Sequence, residues 1–114
     1  MPLKRHFKET VKTRAQRDPA FREALLREAI ETLLAGDVET GKSELRDYIN
    51  ATIGFEALGE ATGTSPKSLM RMFGPVGNPQ AHNLFSVLHY LQEQGNLRFQ
   101  VRAARRKRGQ VTAT

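Results

Sequence analysis

The sequence predicts an all-α fold of about five helices closed by a short C-terminal strand, and three observations carry that prediction. Helix start and stop residues recur densely from Asp18 onward. Apolar residues between those signals repeat at three- and four-residue spacing, which buries one face of a helix. Strict alternation of apolar and polar residues occurs in one place only, Leu97 to Arg102, as in a half-buried strand.

Taken in order, the first seventeen residues carry no helix signal, and residues 1–18 are expected to be a basic, flexible segment. Asp18-Pro19 supplies an N-cap and a first-turn proline, and Gly36 a left-handed C-cap. Phe21, Leu25, Leu26, Ala29, Ile30, Leu33 and Leu34 form the apolar stripe between them, so an amphipathic helix is expected over Pro19–Ala35. Asp37 starts a second helix reaching about Thr52, with Leu45, Tyr48 and Ile49 inward; Gly41 weakens its first turns by about 1 kcal/mol relative to Ala. Phe55 to Thr62 is a two-turn helix capped by Gly63. Ser65-Pro66 opens another that reaches Phe73, and Asn78-Pro79 opens a longer one that ends at Gly95. Residues 19–102 form the expected domain, with the strand at 97–102, and residues 103–114 read as a basic disordered tail.

Composition narrows the function classes. The chain has 114 residues and no Cys, which excludes disulfides, thiolate metal sites and a Cys nucleophile. It has no apolar run of the roughly 18 residues needed to span a bilayer and no signal-peptide pattern, so it is expected to be cytoplasmic, unprocessed and without a membrane partner. The net charge is +6, but the charge is unevenly spread. Residues 1–18 carry +4 and residues 98–114 carry +6, while the stretch between them is at −4. The basic character therefore belongs to the ends, and the middle must be judged on its motifs. Arg105, Arg106, Lys107 and Arg108 are the densest cluster, read either as a solvated tail or as an arm for DNA or an anionic partner.

The segment Phe55–Gly74, FEALGEATGTSPKSLMRMFG, has helix-turn-helix grammar. Gly59 offers the small residue where the second helix crosses the first, Gly63 tolerates the positive φ of the turn, and Leu69 and Met72 turn inward. That leaves Ser65, Pro66, Lys67, Ser68, Met70 and Arg71 outward at the end that enters a major groove. Lys67 and Arg71 are four apart and share a face. Either can donate to guanine O6 and N7 or to phosphate, Ser to either, and Met70 can touch a thymine methyl. The following loop, Gly74-Pro75-Val76-Gly77-Asn78-Pro79, leads to a helix start suited to a phosphate, which places Gly77 and Asn78, with Ser65, at the DNA backbone. The competing reading is a helix pair that packs in a protein-interaction module and never touches DNA.

No catalytic constellation is present. His82 and His89 stand about 10 Å apart along one helix, too far to share a metal, and His6 lacks partners. Glu56 and Glu60 are read as solvated. No Ser-His-Asp spacing, zinc-binding His pair or phosphate loop occurs, so no enzyme activity, metal or cofactor is expected.

The stretch from Gly54 to Ala103 resembles the helix-turn-helix half of HigA-like addiction-module antidote proteins, antitoxins of the Cro/repressor (XRE-type) class, and a weaker likeness reaches back to Leu26. The resemblance is carried by Gly63, Ser65, Leu69, the triplet Gly77-Asn78-Pro79 and the alternation from Leu97 to Val101. Two positions depart from it. Gly59 stands where the class usually has Ala, which the fold is expected to tolerate, and Pro66 stands where many relatives place a polar base reader. The resemblance implies a lambda-repressor-like bundle, a homodimer that binds the double-stranded DNA of its own promoter as a transcriptional repressor, and neutralisation of a cognate RelE/ParE-like toxin in a type II toxin-antitoxin system. A stand-alone repressor without a toxin remains the alternative within the same fold.

Overall fold

The protein is described here by a computed structural model covering residues 2–106, with side chains from Thr10 onward. The described residues form six helices and no strand: α1 Pro2–Arg17, α2 Pro19–Leu34, α3 Val38–Ala51, α4 Phe55–Thr62, α5 Pro66–Met72 and α6 Ala81–Gln94. The all-α class expected from the cap pattern is therefore present.

Local chemistry accounts for most boundaries. Asp18 caps α2 by accepting from the Phe21 N–H at 3.2 Å, and Asp37 caps α3 by accepting from the Thr40 N–H at 3.2 Å. Gly36, just past α2, has φ +92° and Gly63, closing α4, has φ +71°, both left-handed as expected. Helices α2 and α3 pair through a short turn. Helix α4 packs on both α5 and α6. The core joins Leu26 and Ala29 of α2, Leu45, Tyr48 and Ile49 of α3, Phe55 and Leu58 of α4, Leu69 of α5 with Phe73, and Val87, Leu88 and Leu91 of α6.

Three expectations are corrected. Residues 1–18 were expected to be flexible, yet residues 2–17 are helical and α1 packs on α2 and α3. The attachment comes from a few contacts: Ala15 is fully buried, its carbonyl accepts from Arg22 Nη1, and the Arg14 guanidinium stacks over the Phe21 ring at 4.3 Å. Such a helix gives little local signal, because its first turn carries no acidic residue and its apolar content is low.

The strand expected over 97–102 does not form among the described residues, because the chain offers it no edge to pair with. The alternation has another cause. Leu97 and Phe99 are half-buried against the core while Arg98 and Gln100 are exposed, although Val101 is 81% exposed and does not share that packing, and the Phe99 N–H donates to the Gln92 side-chain oxygen at 2.9 Å instead of to a ladder. Residues 103–106 are exposed and without regular structure, and the rest of the expected tail lies outside the described residues.

Finally, the last helix starts at Ala81, with Gln80 as its N-cap, two residues later than Asn78-Pro79 predicts. Gly77 is packed against the end of α5, so the chain needs Asn78 and Pro79 to clear that contact before it can coil.

Burial pushes the Tyr48 phenol above its ordinary pKa, partly countered by the nearby Arg22 charge and by Thr52. A raised phenol favours the folded state fully below the unfolded value of about 10, and the contribution is lost as pH climbs through the folded value. Above pH of about 10, the wild-type protein should therefore lose stability faster than Tyr48→Phe in urea titrations. Parallel curves for the two proteins would contradict this.

No helix among the described residues is long and apolar enough to cross a membrane.

Candidate nucleic-acid interface

The exposed side of α5 is built from the turn upward. The Gly63 and Thr64 N–H groups both donate to the Gly59 carbonyl, at 2.8 and 3.1 Å, which closes α4 and reverses the chain. Ser65 then caps α5: its Oγ accepts from the Ser68 N–H at 3.1 Å and donates to Ser68 Oγ at 2.9 Å. Pro66 follows at the first helical position, where no N–H is needed.

The crossing at Gly59 is closer than expected. A Cβ there would lie 2.6 Å from the Thr64 carbonyl oxygen, so Ala is not accommodated unless the turn backbone moves. Gly59 is the residue that fits this crossing, so its departure from the Ala usual in the class is accommodated as expected.

Rotation of α5 about its axis is set by Leu69, which is buried in the core, and by Phe73 just beyond its end. Met72 is half-buried against the same cluster. The opposite side presents Lys67, Ser68, Met70 and Arg71 to solvent, with Met70 46% exposed. Pro66 is half-buried, and Ser65 is exposed beside it. Among the described residues neither Lys67 nor Arg71 forms an ion pair. Both cations therefore stand one turn apart, unneutralised. Ser65 and Ser68 differ from expectation in detail, since they satisfy each other; a ligand has to compete with, or extend, that hydroxyl pair.

The loop after α5 is pinned from behind by a residue the sequence reading passed over. Lys42 of α3 is only 2% exposed, and its Nζ donates to the carbonyls of Gly74, at 3.2 Å, and Gly77, while pairing with Glu39 Oε2 at 3.3 Å. A buried ammonium is costly unless its donors are used, and here they hold the loop. The signal was available: Lys42 sits three residues before Leu45, on the buried face of its helix, where a Lys has no packing reason to be.

Gly77 completes the arrangement. It is half-buried, and a Cβ there would overlap the Arg71 carbonyl and lie 2.6 Å from that of Met72. Glycine is therefore required for close backbone approach, and the Gly77 N–H donates to the Gly74 carbonyl at 3.1 Å. Asn78 is exposed beside it. The first turn of α6 has no side-chain cap, which leaves its N–H groups available to an acceptor.

The remaining candidates scatter. Arg105 and Arg106 are exposed in the segment after α6, and Lys107 and Arg108 lie outside the described residues. His82 and His89 are exposed on α6, His89 facing Glu93 at 3.5 Å, and Glu56 and Glu60 are exposed on α4. Among the described residues no group of three metal-ligating side chains comes together.

Against protein-family models, curated proteins and solved structures, the chain has no match.

Proposed function

We propose that this protein is a sequence-specific DNA-binding repressor in which α4 and α5 act as a helix-turn-helix of the lambda-repressor-like type and α5 enters the major groove. One observation carries the reading: Lys67 and Arg71 stand exposed, one turn apart and without acidic partners, on a helix whose other side is locked into the core by Leu69. Two exposed cations, Lys67 in the first turn and Arg71 in the last turn of a short helix, suit guanine edges and flanking phosphates. The uncapped start of α6 and the exposed Asn78 lie where a backbone phosphate would follow. Arg98, Arg102, Arg105 and Arg106, all exposed, add sequence-independent attraction that weakens with salt.

A single module makes too few contacts for tight specific binding, so the reading includes a cytoplasmic homodimer on a two-fold operator. The exposed α6 face around Phe85, 64% exposed, supplies a surface for the second copy. Autorepression and neutralisation of a RelE/ParE-like toxin rest on the resemblance to HigA-like antitoxins. A co-transcribed neighbouring frame of ribonuclease-like character separates that role from a stand-alone repressor.

The test is fluorescence anisotropy on the promoter fragment of the protein's own operon at about 150 mM salt. Arg71→Ala should cost about 1–3 kcal/mol and relax preference at one base position, and Lys67→Ala should add to the loss. If the double variant binds the fragment as the wild type does, α5 is not the reader. If deleting residues 103–114 removes affinity and preference together, the tail is the DNA-binding element instead.

A further inference from the structure

A second feature lies away from α5. The end of α1, the start of α2, the end of α3 and the end of α6 enclose a cleft of about 390 Å³, within the size range of small-molecule sites. Gln16, Arg22, Tyr48, Thr52, Gln94 and Asn96 supply its polar groups, and Ala51, Ile53 and Leu91 an apolar floor. No acidic side chain lines it. Its one formal charge is the Arg22 guanidinium, which gives a single hydrogen bond to the Ala15 carbonyl and has no carboxylate partner among the described residues.

We propose that this cleft binds a carboxylate-bearing ligand with an apolar body, the carboxylate on Arg22 and the body on Leu91 and Ile53. The guanidinium keeps most of its five donors in a fork that matches a carboxylate. The side-chain amides of Gln16 and Gln94 stand at the same walls with further donors. A lone cation suits a monoanion better than a phosphate, which gathers several donors, and the apolar floor excludes a bare inorganic ion. Because Gln16 belongs to α1, an occupant bridges α1 to the core. The proposal is independent of DNA binding.

The carboxylate has two natural sources, a small organic acid or the C-terminus of a polypeptide, and the probes separate them. Benzoate represents the first. A short peptide ending in Phe, with a free or an amidated C-terminus, represents the second. In nitrogen-15 NMR titrations of the full chain, benzoate or the free-acid peptide should shift the Gln16, Thr52 and Asn96 amides saturably, with a dissociation constant at or below about 10 mM. Whichever binds identifies the source. Benzamide and the amidated peptide should bind at least about tenfold more weakly, and Arg22→Gln should weaken the acid by a similar factor. Arg22→Lys, which keeps the charge, should retain part of the affinity.

Absence of saturable shifts with both acids overturns the proposal, as does equal binding of acid and amide. Should Arg22→Gln fail to fold, the comparison of acid with amide on the wild-type protein decides alone. Protection of α1 amides from exchange by the bound acid is the second expected result, and unchanged exchange with the cleft occupied would contradict the bridging role.

Discussion

Lys42→Met should lower the stability of the folded protein by about 2–4 kcal/mol, through the loss of charge-assisted hydrogen bonds and the desolvated carbonyls left behind. Met conserves most of the side-chain volume, so the effect isolates the donors rather than a cavity. Those donors hold the Gly74 and Gly77 carbonyls, 32 and 35 residues away in the chain. For a domain of this size the loss corresponds to a fall in melting temperature of about 10–20 °C, read by circular dichroism. Promoter affinity should fall as well, although Lys42 is buried, because the loop that follows α5 loses its anchor. A melting temperature unchanged by the substitution would show that the loop holds itself.

Gly77→Ala is expected to destabilise by about 3 kcal/mol, at the upper end for overpacking. The obstacles to the new methyl group are the backbone carbonyls of Arg71 and Met72, which cannot rotate away as a side chain can. The loop must lift from α5, and lifting it also stretches the bond from Lys42. The two substitutions therefore share one mechanism. Combined, they should cost clearly less than the sum of the single effects, since residues in one network are not additive. Full additivity in urea titrations would mean that Lys42 and Gly77 act separately.

Sequence reasoning reads well wherever structure is decided within a few neighbouring residues. Asp18, Asp37, Gly63 and Ser65 each punctuate the chain where expected, because a cap is a bond between residues three or four apart. The outward set Lys67, Met70 and Arg71 follows from the inward Leu69 by helical geometry alone. Where a distant partner decides, the reading fails. The alternation from Leu97 to Arg102 is the same pattern for a strand and for a segment lying on a helix, and only the presence of Gln92 beside the Phe99 N–H distinguishes them. The start of α6 is displaced by a contact between Gly77 and the end of the previous helix. Helix α1 is held by packing on two helices rather than by any local signal.

The amino-acid order by itself determined the helical class, the boundaries of α2 to α5 and the residues α5 turns to solvent, since each depends on caps and periodicity written into adjacent positions. Only the tertiary structure decided that α1 folds back, that the end segment stays unpaired, and that a buried Lys42 and a crowded Gly77 set the loop beside α5. Those outcomes depend on which groups from remote positions meet, and burial makes each meeting matter by removing the water that would otherwise satisfy them.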